Sequence, residues 1–509
     1  MSRTLAFALA ITGFVATAHA ADLDLGSTGV GSIKDSPSDV QSWYPLPDTL
    51  TWHGVTLYGT VDMDYAYQTN GRPNGSIVSD LEYSPFTTTK NFTGQQVSTI
   101  TANALEQSKI GVKALEDLGD GWAFVGKVEA GWDPISFQLS NGCESFVQNA
   151  GIAFSKQTSN ADSGRCGQWD NSVAYAGFSN PAYGTLTAGR QQSFQLDAMA
   201  AYDPMALSYA FSLMGYSGTW GGSGSTQAAR WDNSVKYVYQ YGPVHAGAMY
   251  SSGGEDTGNL GNAYGFNAGG AYKSFSIDGV YTRENNAVNL LGSDNDPVTG
   301  FPANVLAATV TDNEAWSVQG KYVYDFDGGF KDTGPASKLT FFAGYEHIDQ
   351  SNGSLGIGAL AFTNGGYEIY NNNPGHTTPY YTTPKELQME WTGAKYEFGG
   401  GWSITAAYYH VDQGAFEKYG KSCAAAEAGS GDATASKGCA GDYDQGSLLV
   451  DYALNKHFDV YAGTTYAIVR GGLASGYEGT AASDGPAGTT GTKTSIDTAA
   501  VVSGFRLRF

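Results

Sequence analysis

Residues 52–68 read WHGVTLYGTVDMDYAYQ, a stretch in which apolar and polar side chains alternate. One parity is apolar or aromatic and consists of Val55, Leu57, Val61, Met63, Tyr65 and Tyr67. The other parity is polar and consists of Thr56, Thr60, Asp62, Asp64 and Gln68. Because successive side chains of a β-strand point to opposite faces, the stretch predicts a strand with one apolar and one polar face. A soluble sandwich and a transmembrane barrel both contain such strands, so this stretch alone does not separate them.

The same alternation recurs along the chain. In WAFVGKVEAGW, Lys127 and Glu129 oppose the apolar parity, and EAWSVQGKYVYDF at 314–326 follows the same pattern. We count sixteen candidate strands, an even number, as bacterial barrels have. They lie near 52–67, 108–117, 122–133, 169–178, 185–191, 230–241, 244–251, 263–274, 275–284, 314–326, 337–349, 387–398, 402–412, 444–454, 457–470 and 497–509.

The connections between these strands alternate in length. Short ones include Leu118-Gly119-Asp120-Gly121, Ser179-Asn180-Pro181, Gly242-Pro243, Gly399-Gly400-Gly401 and Asn455-Lys456. Long ones lie near 68–107, 134–168, 192–229, 285–313, 350–386, 413–443 and 471–496. Outer-membrane barrels have short periplasmic turns and long outer loops, whereas a sandwich has no reason to separate its loops by length. The sequence therefore predicts an all-β fold, an antiparallel transmembrane barrel.

The N-terminus has the features of an export signal. Arg3 precedes an apolar stretch from Leu5 to about Ala18, and Ala18-His19-Ala20 is a small-residue cleavage site. We expect residues 1–20 to be a signal peptide, 21–51 an irregular segment and 52–509 the barrel domain. No later apolar run is long enough to span a bilayer as a helix, and a mean hydropathy of −0.27 suits strands that alternate between lipid and water.

Charge and cysteine content exclude several classes of partner. A net charge of −22 argues against nucleic acid and against anionic lipid surfaces, which require clustered Lys and Arg. Four cysteines permit three disulfide connectivities, of which the local pairs Cys143 with Cys166 and Cys423 with Cys439 are the most economical in the oxidising periplasm. The sequence contains no Cys-x-x-Cys motif of the kind found in zinc sites, and its histidines are scattered. We therefore expect neither a metal nor a cofactor.

Four stretches resemble the general, non-specific porins of Gram-negative bacteria. They are LYGTVDMDY, SKIGVKALEDLGDGW, AYAGFSNPAYGTLTAGRQ and the terminal VVSGFRLRF. The resemblance implies sixteen antiparallel strands, a homotrimer in the outer membrane and a third long loop folded into the lumen as a constriction. Phe505, Leu507 and Phe509 alternate with arginines on the last strand, and in that family a terminal Phe on such a strand is read by the barrel-assembly machinery.

The resemblance also implies where the constriction lies. The segment after Arg190 contains Asp197 and Asp203, and these carboxylates would face basic wall residues, for which Lys109, Arg190 and Arg230 are the candidates. Relatives carry further basic residues where this chain has Thr60 and Ser172. We expect Asp62, Asp64, Lys127 and Glu129 on the lumen wall. Because three of these side chains, Asp62, Asp64 and Glu129, are acidic, the pore should lean toward cations.

Three functions are compatible with these residues. A general channel for passive diffusion of small hydrophilic solutes and ions is the first expectation, and a solute-selective channel, for example for carbohydrates, is the alternative. A barrel enzyme or an adhesin is the third. We expect no enzyme, because no Gly-x-Ser-x-Gly motif is present and no Ser-His pair can be assembled on an outward face near the rim.

Overall fold

The computed structural model describes most of the predicted barrel. The described residues are 50–69, 96–135, 137, 139, 172–214, 230–253, 262–292, 305–326, 337–352, 361–364, 367–370, 381–418, 421–422, 440–471 and 495–509. The predicted signal peptide, most of the segment 21–51, Cys143, Cys166, Cys423 and Cys439 lie outside these residues and stay predictions.

Strands account for most of the described chain, together with one helix, α1 (Phe194–Tyr202). The strands of the first half are β1 (Leu50–Trp52), β2 (Val55–Gln68), β3 (Val97–Ala102), β4 (Lys109–Gly119), β5 (Trp122–Gly131), β6 (Val173–Asn180), β7 (Gly184–Gln192), β8 (Arg230–Tyr241), β9 (Val244–Ser251), β10 (Asn262–Tyr272) and β11 (Phe275–Gly292). Those of the second half are β12 (Val305–Asp325), β13 (Lys338–Asn352), β14 (Ala361–Asn364), β15 (Tyr367–Tyr370), β16 (Tyr381–Thr383), β17 (Lys385–Gly399), β18 (Trp402–Gln413), β19 (Glu417–Lys418), β20 (Lys421–Ser422), β21 (Gly441–Ala453), β22 (Phe458–Gly471) and β23 (Ser495–Arg508).

The long strands pair antiparallel with their neighbours, and the last pairs with the first. β2 and β23 run in register from Thr60 opposite Arg508 to Gln68 opposite Ala500, which closes the sheet. β3 and β4 both pair with β2 and together occupy one position. The long strands of the described residues therefore form a closed antiparallel barrel of sixteen positions, as the sequence predicts.

The barrel is polar inside and apolar outside. On the outer face large apolar side chains are exposed, such as Leu57 at 39% and Val318 at 47%. On the inner face polar side chains are buried, such as Asp62 at 0% and Gln319 at 1%. A soluble sandwich would have the opposite arrangement, so burial decides the question that the alternation left open. Within the described part of the chain, no helix is both long and apolar enough to cross a membrane.

Tight turns connect the strands at one end, as predicted. Between β4 and β5, Gly119 and Gly121 have φ values of 87° and 79°, which a side chain would strain, and the Asp117 carboxylate accepts the N–H of Gly119 at 2.9 Å. At the other end, β11 and β12 extend beyond the predicted limits of 284 and 314. A hairpin that extends beyond the membrane does not need an apolar outer face. The alternation of apolar and polar residues therefore did not predict these extensions.

Candidate channel lumen

Residues 193–214, here called the lumen loop, fold from the end of β7 into the barrel. The loop opens with α1, where the Ser193 side chain caps the helix by accepting the N–H of Leu196 at 3.3 Å. Almost every residue of the loop is buried, and α1 contacts the inner face of β10 to β13. The predicted third loop in the pore is therefore present.

Hydrogen bonds tie the lumen loop to the wall at widely separated strands. They are Gln195 Nε2 to Glu346 Oε1 at 2.6 Å, Lys321 Nζ to the Ala201 carbonyl at 3.0 Å, Trp391 Nε1 to the Tyr202 carbonyl at 3.0 Å, Gln445 Nε2 to the Phe211 carbonyl at 3.0 Å, and Ala210 N to the Ala104 carbonyl at 2.9 Å. Because the partners run from β12 and β13 through β21 to the chain between β3 and β4, the loop follows the inner wall around much of the circumference.

An apolar cluster lies inside the barrel, between the lumen loop and the wall. Met199, Met205, Phe211, Leu213 and Met214 of the loop are buried in it. The wall contributes Ile348, Leu387, Met389, Trp391, Val411, Leu449, Val469 and Val502. The sequence predicts that the inner parity meets water, and over this sector it meets the loop instead. The cluster holds the loop against the wall by burial of apolar surface.

The sequence at the start of β17 contains a signal for this sector of the wall. In KELQMEW, at the start of β17, the exposed side chains are Glu386, Gln388 and Glu390, whereas Leu387 and Met389 point inward and are buried. The polarity of the two parities is thus reversed relative to β2. A reversal of this kind indicates that something apolar covers the wall from inside.

Asp203, one of the two loop carboxylates in the predicted constriction, accepts hydrogen bonds from the loop itself and from the barrel wall. Its carboxylate accepts the N–H groups of Met205 at 3.3 Å and Leu207 at 2.7 Å, and the Tyr409 hydroxyl at 2.5 Å. Burial raises the pKa of this carboxyl above its ordinary value of 3.8, against the opposing effect of the Tyr409 hydrogen bond. Asp203 therefore shapes the loop and joins it to β18.

Three of the other predicted constriction residues form ion pairs that the sequence did not suggest. Asp197 forms an ion pair with Lys236 of β8, a residue missed by sequence reasoning. Lys109 pairs with Glu106 at 2.7 Å, and Arg190 pairs with Asp232 at 3.0 Å. Arg230 begins β8 and is partly buried. The structure thus places Asp197, Lys109 and Arg190 in separate ion pairs along the wall.

The four predicted wall residues all lie buried on the inner face of β2 and β5. Asp62 accepts the N–H groups of Leu105 at 2.8 Å and Glu106 at 2.9 Å, and Asp64 accepts that of Ala104 at 3.3 Å. Lys127 and Glu129 form an ion pair at 3.4 Å. The two positions without a basic residue bind carboxylates instead, because Thr60 donates to Glu106 and Ser172 donates to Glu129.

The terminal strand has two distinct faces. Phe505 is exposed on the outer face and stacks on Phe458, with ring centroids 5.7 Å apart. Phe509 joins β2 through two backbone hydrogen bonds with Gly59, each 3.0 Å long, and Leu507 shares its outward parity. Arg506, on the opposite parity, is fully buried. Recognition of this end by the assembly machinery stays a prediction.

An apolar exterior, a polar inner wall and a loop folded inside define a β-barrel channel that spans a membrane. A family model described as Gram-negative porin matches residues 6–471, and the chain therefore belongs to the Gram-negative porins. These are outer-membrane channels for passive diffusion, so we place this chain in the bacterial outer membrane. No group of three or more potential metal ligands occurs among the residues described.

Comparison with one solved porin, at a TM-score above 0.5, gives the same fold, and two further channels are similar at lower scores. The anion-selective porin from Comamonas acidovorans is 14% identical, with 89% of this chain and 99% of that chain covered and a TM-score of 0.53. The outer-membrane expressed OmpT of Vibrio cholerae is 14% identical, with 91% and 100% covered and a TM-score of 0.49. The outer membrane channel DcaP of Acinetobacter baumannii is 15% identical, with 89% and 97% covered and a TM-score of 0.45. A search of curated proteins found no match.

Proposed function

We propose that this porin is a general diffusion channel for small hydrophilic solutes, that it passes cations more readily than anions, and that it works as a homotrimer. The observation that carries the ion preference is the neutralisation of the basic side chains on the inner wall.

Five of these cations each lie within ion-pair distance of a carboxylate. The pairs are Lys109 with Glu106 at 2.7 Å, Lys127 with Glu129 at 3.4 Å, Arg190 with Asp232 at 3.0 Å, Lys236 with Asp197, and Arg506 with Asp459 at 2.7 Å. A cation with a carboxylate in contact presents little net charge to a passing anion. These five wall positions therefore offer anions little attraction.

The rest of the charge favours cations. The chain has 49 acidic and 27 basic residues, which leaves a net charge of −22. A net negative field raises the local concentration of cations near the channel and lowers that of anions. The anion selectivity in the name of the Comamonas acidovorans porin does not transfer at 14% identity, because selectivity depends on particular charges and the likeness is one of fold.

Reversal potentials across planar bilayers test the ion preference. Under a KCl gradient at neutral pH, we expect the sign for K⁺ over Cl⁻ and a smaller preference as salt rises, because salt screens charges. A clear Cl⁻ preference would contradict the charge argument and leave the barrel intact.

Liposome swelling with sugars of increasing size tests the diffusion mechanism. Rates that fall smoothly with solute size support a general channel, whereas saturable block of the current by one sugar would point to a solute-selective channel.

Chemical cross-linking in mild detergent tests assembly. Bands at three times the protomer mass support the homotrimer, and protomers alone would contradict it.

A further inference from the structure

Residues 103–108, here called the inward segment, interrupt the second strand position of the barrel and project into the lumen. Asn103 has a φ of 71° and marks the bend where β3 ends. Its side-chain oxygen accepts the N–H of Ser108 at 2.6 Å, which joins the two ends of the segment. The Asp62 carboxylate on β2 accepts the N–H groups of residues 105 and 106, and these hydrogen bonds attach the inward segment to the barrel wall.

Glu106 lies at the centre of this projection with its carboxylate among cations. Oε1 contacts Lys109 Nζ at 2.7 Å and accepts the Thr60 hydroxyl at 3.1 Å. Oε2 lies 3.4 Å from both Arg506 Nη1 and Arg508 Nε. One buried carboxylate therefore contacts basic side chains from two strands, β4 and β23.

The three cations depend on Glu106 to different degrees. Arg506 has a second and closer carboxylate in Asp459, at 2.7 Å. For Arg508, the structure gives an ion pair with Glu106 alone, and its Nη1 and Nη2 atoms are buried without a hydrogen-bond partner among the described residues. Glu129 also interacts electrostatically with Lys109, and Asp459 and Asp451 do so with Arg508, but Glu106 is the carboxylate that contacts both cations. Loss of the Glu106 charge would thus remove the nearest compensating charge from the guanidinium of Arg508 and the ammonium of Lys109.

We infer that Glu106 is a determinant of the ion selectivity of this channel, because its negative charge offsets part of the positive charge of the wall residues Lys109 and Arg508. The inference rests on the proposed diffusion function and adds a single selectivity-determining residue to it. Without this carboxylate the same wall attracts anions more strongly. Glu106 comes from a segment that sequence reasoning assigned to a long loop, so it was not among the candidate residues.

The test compares reversal potentials of the wild-type channel and the Glu106→Gln variant under the same KCl gradient. We expect the K⁺ to Cl⁻ permeability ratio to fall by about fivefold, the factor that corresponds to the interaction of two unit charges about 4 Å apart in water. Glu116→Gln is the matched control, because it removes the same charge from an exposed position on β4 and should leave the ratio nearly unchanged.

A double variant separates charge from displacement of the segment. Adding Arg508→Gln to Glu106→Gln removes the guanidinium that lost its nearest compensating charge and should return the ratio toward the wild-type value. Arg508→Gln alone should raise the preference for K⁺. This single variant tests the inference even if Glu106→Gln does not fold into a heat-modifiable barrel.

The two proposals fail in different ways. An unchanged ratio in a folded Glu106→Gln channel, or in Arg508→Gln, overturns the role of Glu106 and leaves the proposed cation preference standing. A wild-type channel that prefers Cl⁻ overturns the proposed preference, while a further shift toward Cl⁻ in Glu106→Gln still supports the role of this residue.

Discussion

A methyl group added at Gly247 should loosen the lumen loop. A Cβ at this inner-face position of β9 would lie 2.6 Å from Cζ of Phe194, the first residue of α1, and 2.5 Å from the Asn267 amide oxygen. The amide can rotate away. The ring is enclosed by Trp231, Met249 and Val280, so it must retreat by about 1 Å to restore an ordinary carbon–carbon contact. Overpacking of this kind costs about 1–3 kcal/mol.

Amide hydrogen exchange in detergent measures this cost locally. A loss of about 1–3 kcal/mol in docking corresponds to about 5- to 150-fold faster exchange in α1, where the Asp197 and Asp203 amides are hydrogen-bonded to Ser193 and Met199. The matched control is Gly279→Ala on β11, where the new Cβ would be 3.8 Å from its nearest neighbour. Wild-type exchange rates in Gly247→Ala would refute the docking of Phe194 against β9.

Two further predictions concern Asp203 and the C-terminus. Because burial raises the pKa of Asp203, docking of the loop should be strongest below its ordinary pKa of 3.8 and weaken as pH rises through the higher pKa of the docked state. Weaker docking of the loop should increase the noise of the open-channel current as pH rises. Asp203→Asn should reduce this pH dependence of the noise, and an equal pH dependence in both proteins would contradict the role of Asp203. Deletion of Phe509 should lower the fraction of heat-modifiable barrel in cells while refolding in detergent persists. Equal cellular yield would contradict a role in assembly.

The alternation of side chains was sufficient to predict most of the barrel. All sixteen positions contain a predicted strand, since each requires only that residues two apart share a face. The short segment β3 was missed because the inward segment separates it from β4 and shifts its pairing with β2. The reversed polarity of β17 was present in the sequence, yet it acquires meaning only once the lumen loop is known to cover Leu387 and Met389.

The ion pairs of the lumen were less accessible to sequence reasoning. Asp197 and Lys109 were identified as charged candidates, but Lys236 and Glu106, which contact them, were not. An ion pair depends on which strands face one another across the lumen and on how far the loop reaches. The spacing of residues along the chain predicts neither the facing strands nor the reach of the loop.

Alternation along the chain was enough to predict the class of fold, the order of the strands and which parity of most strands faces lipid. These properties are local, because a strand's two faces follow from neighbouring residues and the bilayer requires the outer one to be apolar. The inward segment brings Glu106 beside Arg506 and Arg508, about 400 residues away along the chain, and this contact is visible only in the folded barrel. Closure of the barrel between β2 and β23 makes that contact, and closure is a property of the whole chain.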